Sequence, residues 1–288
     1  MNRRLISTLT LVTAVGLGAC SKPPAAAPTT TPDAPATTPD AEATLPTADA
    51  ILAKAVEAAG GAAAHDALGS YYSESRMEIP SQGLSADSKL WWKKGKFYME
   101  IDMPGVGLSR VWCDGKTVIS EDPVNGRRTL EGREATQSRW AASVSLPHEW
   151  TQYFTKATTV GRRYNEDKPV VDVKLTGADD VEVTLSFDEA TGLLRSQSFL
   201  QASPMGAMPV EVAVVEYKPY AGLQQAAKTE MRMAIFTATT TLTKFDANVE
   251  IDDAKFVPAA PEAPAAAKPE AAPATKTTPK SKSKAKAG

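Results

Sequence analysis

Lys96-Phe97-Tyr98-Met99-Glu100-Ile101-Asp102-Met103 alternates without a break. Phe97, Met99, Ile101 and Met103 fall on one side of an extended chain, and Lys96, Tyr98, Glu100 and Asp102 on the other. That period of two is the mark of a strand with one apolar face. Val181-Glu182-Val183-Thr184-Leu185-Ser186-Phe187-Asp188 repeats the pattern, and Val171-Val173-Leu175 and Val210-Val212-Val214 carry it over shorter spans. Turn-forming groups separate the runs: Lys93-Lys94-Gly95-Lys96, Asp114-Gly115-Lys116, Asn125-Gly126, Gly177 to Asp180, and Ala190-Thr191-Gly192. Strands linked in this way predict an antiparallel sheet with one apolar and one wet face.

Working outward, Thr47 stands where an N-cap belongs, and Ala48 to Ala59 places Ile51, Leu52, Ala55, Val56 and Ala59 on one helical face. Gly60-Gly61 closes that helix. A second short helix is predicted over Ala62 to Leu68, ending at Gly69. The strand pattern breaks again over Gly132 to Phe154, where Trp140, Leu146, Trp150, Tyr153 and Phe154 read as helix. A sheet of about 8–11 strands does not stay flat, and a helical segment can plug its concave side. The expected class is therefore mostly β (α+β): an incomplete antiparallel β-barrel with N-terminal helices and a helical lid. Wide barrels hold ligands where side chains do not fill them.

The candidate lining of that interior is Trp91, Phe97, Met99, Ile101, Met103, Trp112, Trp150, Val183, Leu185 and Phe187. Trp91 and Trp92 are neighbours on one predicted strand and point to opposite faces, so one lines a cavity only if the other finds cover elsewhere. Met99, Met103, Met205, Met208, Met231 and Met233 add adaptable side chains suited to a variable apolar ligand.

The order Ile51-Leu52-x3-Val56-x2-Ala59-Gly60-Gly61, then Leu68, resembles the opening of the LolA/LolB-like superfamily, in particular its lipid-anchored outer membrane lipoprotein-sorting members. Met77-Glu78-Ile79-Pro80-Ser81-Gln82-Gly83-Leu84, Trp91-Trp92-Lys93, Asp102-Met103-Pro104-Gly105-Val106-Gly107, Asp122-Pro123-Val124-Asn125-Gly126, Ser203-Pro204-Met205-Gly206 and the closing Val249-Glu250-Ile251-Asp252-Asp253-x2-Phe256 continue it. The resemblance spans nearly all of 49–257. It implies an incomplete barrel with a helical lid and a cavity for acyl chains.

At the N-terminus, Arg3 and Arg4 precede an apolar run from Leu5 to Leu17, too short to span about 30 Å of hydrocarbon. This reads as a secretory signal over residues 1–19. Leu17-Gly18-Ala19-Cys20 resembles the bacterial lipobox, which implies cleavage before Cys20 and acylation of it. Several acyl chains hold a protein stably to a bilayer where one does so only marginally. By the same resemblance, Ser21, which is not an inner-membrane-retaining aspartate, points to the outer membrane, facing the periplasm.

Of 21 prolines, seven lie between Pro23 and Pro46 and six between Pro258 and Pro279. Such composition cannot bury enough apolar surface to offset chain entropy. Residues 20–48 are therefore expected to be a disordered tether and 258–288 a disordered tail, leaving 49–257 as the globular domain. The tail ends in Lys280, Lys282, Lys284 and Lys286. Two readings remain open for it: a weak contact with anionic envelope polymers, or a solubilising tail.

A net charge of −2 marks no specific nucleic-acid binder. With Cys20 consumed, Cys113 is alone and is expected to be a buried, inert thiol. His65 and His148 have no partner at metal-ligand spacing and are expected at the surface or at caps. Asp179-Asp180 and Asp252-Asp253 are expected to serve turns and local structure. Gly105-Val106-Gly107 lacks the strand–helix setting of a dinucleotide site. No catalytic set, metal site or cofactor is expected. The sequence leaves two classes in play: a lipid-anchored protein that binds acyl chains or another apolar ligand, and an envelope interaction module with a filled barrel.

Overall fold

A computed structural model describes residues 45–259 other than 166–167, 179–180 and 204–205. The signal segment, Cys20, residues 21–44 of the tether, residues 260–288 of the tail, Asp179-Asp180 and Met205 lie outside the described residues.

Helix α1 spans Ala48–Ala58, with the Thr47 hydroxyl accepting from the Ala50 N–H at 3.3 Å. Its Ile51, Leu52, Ala55 and Val56 are buried. Gly60 and Gly61 follow at φ +124° and +83°. Glycine is required at position 60, because a Cβ there would meet the Gly222 carbonyl oxygen at 2.4 Å. That close approach lets the Gln224 N–H reach the Ala59 carbonyl at 2.9 Å, tying the helix end to the sheet. Helix α2 covers Ala62–Ala67.

Thirteen strands follow among the described residues: β1 (Ser70–Ile79), β2 (Leu84–Lys93), β3 (Lys96–Met103), β4 (Gly107–Cys113), β5 (Val118–Asp122), β6 (Gly126–Leu130), β7 (Lys156–Asn165), β8 (Lys168–Thr176), β9 (Glu182–Asp188), β10 (Leu194–Ser203), β11 (Gly206–Tyr220), β12 (Leu223–Met233) and β13 (Phe236–Ala247). The count exceeds the expected range. Strands such as β7 carry little apolar contrast between their faces, so alternation alone does not reveal them. Beyond β13, Asp253–Phe256 forms a 3-10 turn capped by the Asp252 carboxylate.

All pairings are antiparallel, in the order β6-β5-β4-β3-β2-β1-β13-β12-β11-β10-β9-β8-β7. The first and last strands meet in the middle, and two meanders run outward from them. The sheet does not close: β6 and β7 are its free edges. They are also consecutive in sequence, so the chain between them must cross from one edge to the other. That connection is helical, with α3 (Gly132–Ala141), α4 (Leu146–Glu149) and a 3-10 turn (Trp150–Gln152). The half-barrel and its helical lid are thus one topological fact.

The concave face holds two cores. In the first, α1 packs with Trp140, Leu146 and Phe154 on Val171, Val173, Leu175, Val183, Leu185 and Phe187. In the second, Leu68, Ala135, Ala142 and Leu223 cover the row Trp92, Phe97, Cys113, Val118 and Leu130. Cross-strand pairing aligns that row: Trp92 opposes Phe97, Phe97 opposes Cys113, Cys113 opposes Val118, and Val118 opposes Leu130. Cys113 is a fully buried free thiol.

The convex face is not wholly wet, contrary to expectation. Tyr72, Trp91, Tyr98 and Trp112 oppose one another across β1–β4 at centroid distances of 4.9, 5.4 and 5.3 Å, the first pair tilted and the other two stacked. Phe256 buries itself against Tyr98 and Trp112. The Lys255 ammonium lies 4.0 Å from the Trp91 ring centroid and 4.8 Å from that of Tyr98. Asp253 accepts from Lys93 and Lys96 at 2.8 Å each, which holds its carboxyl down at about 2.

Candidate functional site

The strand register settles which predicted side chains share the concave face. Phe97 and Met99 point under α3 and line a cavity of ≈180 Å³ with Leu90 and Val111 from the sheet, Trp140 and Ala141 from α3, and Phe199 from β10. Ile101 and Met103 continue the same face toward the far end of β3 and are half-buried. Val183, Leu185 and Phe187 lie instead in the closed core beneath α1, each at most 1% exposed, with Trp150 packed at its margin.

Trp91 and Trp112 are a correction. Both pair with Tyr98, one residue out of phase with Phe97, and both sit on the convex face. The concave tryptophan of the pair is Trp92, and it is 5% exposed in the second core.

Sequence reasoning missed Trp140, Phe199 and Gln137 as lining residues. Trp140 had a readable signal as a lone large aromatic among polar groups of the lid segment. Its ring meets Phe199 edge-on at 4.9 Å and Phe154 at 6.4 Å. Gln137 had none. It is 3% exposed, its amide nitrogen donates to the Leu200 carbonyl, and its amide oxygen accepts from the Ala202 N–H at 2.8 Å. Those two bonds latch α3 to β10. At the start of α3, Arg128 donates to both Glu134 oxygens at 2.7 and 2.9 Å and fixes the helix to β6.

Beyond Gln137 and Phe199, a wider and more open cleft of ≈530 Å³ runs over β9–β12. Val181, Phe199, Val210 and Met233 supply its apolar floor, and Arg133, Glu182, Glu211 and Arg232 stand around it. Gln137 and Phe199 line both this cleft and the smaller cavity. The arrangement is an apolar tract under a latched helix, with charged groups at the wider end. Tracts of this kind accept chain-like apolar ligands with few oriented polar contacts.

The histidines depart from expectation. His65 on α2 is 7% exposed, and its ring stacks on that of His148 from α4 at 5.0 Å. His148 Nε2 lies 3.1 Å from an Asp66 oxygen. Burial, reinforced by repulsion from His148, holds His65 down to about 4 against the pull of Asp66, so it is neutral at pH 7. Tyr71 donates to the Ala142 carbonyl at 3.4 Å; burial and then the nearby Glu149 push its hydroxyl well above the usual phenol range.

Among the described residues, no group of three or more His, Cys, Asp or Glu side chains is placed to hold a metal. No described helix is long and apolar enough to cross a membrane.

Comparison by sequence matches no family model and no curated protein. Comparison by structure does find relatives of the fold. A LolA superfamily protein from Nitrosomonas europaea superposes with a TM-score of 0.53 at 16% identity, over 74% of this chain and 99% of that one. A DUF1329 family protein from Desulfovibrio piger superposes with a TM-score of 0.51 at 13% identity, over 73% of this chain and 97% of that one. The open antiparallel sheet with its helical lid is therefore a LolA-like fold.

Proposed function

We propose that this protein binds acyl chains, or another chain-like apolar ligand, in the cleft between α3 and the concave face of the sheet, and that it performs no catalysis. The observation that carries the reading is the incomplete filling of that face. Trp140 and Phe199 leave voids on either side, and beside its apolar contacts the lid is tied to β10 by a polar latch. Exchange would proceed by release of Gln137 and displacement of α3, trading apolar burial between the cleft and a membrane or partner at roughly 25 cal/mol per Å².

Cys20 would carry acyl chains that fix the protein to the outer membrane, with the globular part facing the periplasm on the 20–48 tether. The lipobox-like Leu17-Gly18-Ala19-Cys20 supports this placement. Replacing Cys20 with Ser is expected to move the protein out of the membrane fraction or leave it unprocessed; normal processing and fractionation of the variant would contradict the anchor.

Native mass spectrometry of the detergent-free protein tests the binding role. Co-purified lipid, lost on delipidation and regained on incubation with phospholipid vesicles, is the expected result. A protein that neither retains nor takes up lipid fits the filled interaction module instead.

A further inference from the structure

Alternate turns of the sheet fall at the end of the half-barrel where β1 finishes. Four of them are neighbours along that rim: β5–β6, β3–β4, β1–β2 and β12–β13. Adjacent strands are about 4.8 Å apart, so the four tips stand about 10 Å from one another over roughly 30 Å. They read Pro123-Val124-Asn125, Pro104-Gly105-Val106, Pro80-Ser81-Gln82-Gly83 and Ala234-Ile235, without a charged residue. Val124 is 85% exposed, Ile235 69% and Val106 50%. Among the described residues, these are the large hydrophobic side chains exposed in strand-to-strand turns, and all lie at this end. The tips adjoin: a Cβ on Gly107 would meet Pro123 Cγ at 2.7 Å, and Pro80 and Ile235 line one surface hollow. They are also preformed. The Val106 N–H donates to the Met103 carbonyl at 2.9 Å, and the Val124 N–H to the Asp122 carboxylate at 2.9 Å, so side chains are presented without orphan backbone donors. At the opposite end, Lys94, Asp114, Lys116 and Glu189 stand in the turns.

We propose that this uncharged rim is a docking face for a lipid bilayer, with the tips of Val124, Val106 and Ile235 entering its interfacial layer side by side. Single exposed apolar residues are ordinary, but a row of them confined to one end marks an interaction surface. The spacing selects the partner. A protein partner needs a contiguous, complementary patch, whereas separate points about 10 Å apart sit readily in a fluid surface. The apolar floor of the wide cleft runs out at this rim through Met233 and Ala234, so docking brings the end of the cleft against the bilayer. The start of the globular part lies on the same side. Helix α1 ends at the opposite end, where the Gln224 N–H meets the Ala59 carbonyl, and ahead of it the Pro46 carbonyl accepts from Thr159 at 2.8 Å, in the rim half of β7. The docking face does not depend on what the cleft holds.

The test uses the chain from residue 20 onward carrying Cys20→Ser, which has neither signal segment nor acyl chain. Phosphatidylcholine vesicles, which are neutral, give the lysine tail no charge to meet. The chain is expected to sediment with them. Val106→Asp, Val124→Asp and Ile235→Asp are each expected to weaken that association at least about tenfold, the effect of losing one buried apolar side chain. Their melting should be unchanged, since these side chains project into solvent and leave the core intact. Lys94→Asp, at the other end, is expected to leave the association as it was. In the acylated full chain on the same vesicles, a nitroxide on Ile235→Cys is expected to be shielded from a water-soluble nickel chelate, and one on Lys94→Cys to be open to it. Shielding confined to position 235 sustains the proposal even if the unacylated chain binds too weakly to sediment. Equal access at the two positions would overturn it, whatever the unacylated chain does. Vesicle binding undiminished by the three Asp substitutions would also overturn it, by placing the lipid contact elsewhere. A dimer in solution that the same substitutions abolish, with no vesicle binding, would overturn it in favour of a second copy of this chain.

Discussion

On the convex side of β2–β4, Trp91, Tyr98 and Trp112 are covered by the chain's own Phe256 and Lys255. On the concave side of the same strands, Phe97 and Met99 border a void beneath α3. The strands and their pairing are shared, and both faces carry aromatic and apolar weight. They differ in who supplies the cover. The convex row is finished by a C-terminal segment whose charges are also paired, with Asp253 between Lys93 and Lys96. The concave row is covered by a helix that leaves a cavity and, beyond Gln137 and Phe199, an open cleft. Proteins close-pack what is structural. The unfinished face is the one on which to look for a ligand, although the finished one displays the more conspicuous tryptophans.

The largest stability effect should come from breaking the finished face. Trp112 is 7% exposed, and Trp112→Ala should cost about 3–5 kcal/mol, read as a fall in Tm on the order of 10 °C. Binding of an apolar fluorescent probe should be unchanged, because the proposed ligand lies on the opposite face of the sheet. Loss of probe binding in a variant that still folds would erase the distinction between the faces.

Opening the concave lid should cost less and change kinetics more. Gln137→Ala leaves the Ala202 N–H and the Leu200 carbonyl without their side-chain partner, a loss of about 1–3 kcal/mol. Amide exchange across α3 should rise, and the probe should enter and leave faster. Unaltered exchange rates would show that the latch does not hold the lid.

A smaller effect follows from pH. His65 titrates at about 4 in the folded chain, against an ordinary 6.5 once unfolded. The unfolded state therefore takes up the proton first. The contribution is fully present above pH 6.5 and is lost as pH falls from there toward 4. Between pH 7 and 5 this amounts to about 1–2 kcal/mol. His65→Leu should flatten the dependence of Tm on pH across that window. Parallel curves for the two proteins would mean that the stacked pair of histidines is not strained by protonation.

How much of this was legible in the sequence depended on where contrast lay. Lys96 to Met103 and Val181 to Asp188 show their faces openly, as does the capped helix after Thr47, because alternation and capping are local. The 13-stranded count was not legible: β7 reads Lys-Ala-Thr-Thr-Val-Gly-Arg-Arg-Tyr-Asn, with little apolar difference between its sides. Nor was the identity of the buried tryptophans. A one-residue step exchanges Trp91 for Trp92, and only pairing with Phe97 decides which is concave. Trp112 went astray for the same reason, as Cys113 occupies the concave place opposite Phe97. The His65–His148 stack joins α2 to α4 across 83 residues, and Gln137 reaches β10 across 65; no local pattern encodes such contacts.

The central claim is that the concave face around Met99 borders a ligand site and not a filled core, and Met99→Asp tests it most directly. Met99 is half-buried beside the void and opposes Leu90 and Val111. In a ligand-holding cleft, the carboxylate finds space and water. The variant should then fold with a Tm within a few degrees of the original, while probe and lipid binding weaken by at least about tenfold, the effect of one desolvated charge. A variant that fails to fold would contradict the account by showing a filled core, and a folded variant with undiminished binding would contradict it by placing the ligand elsewhere.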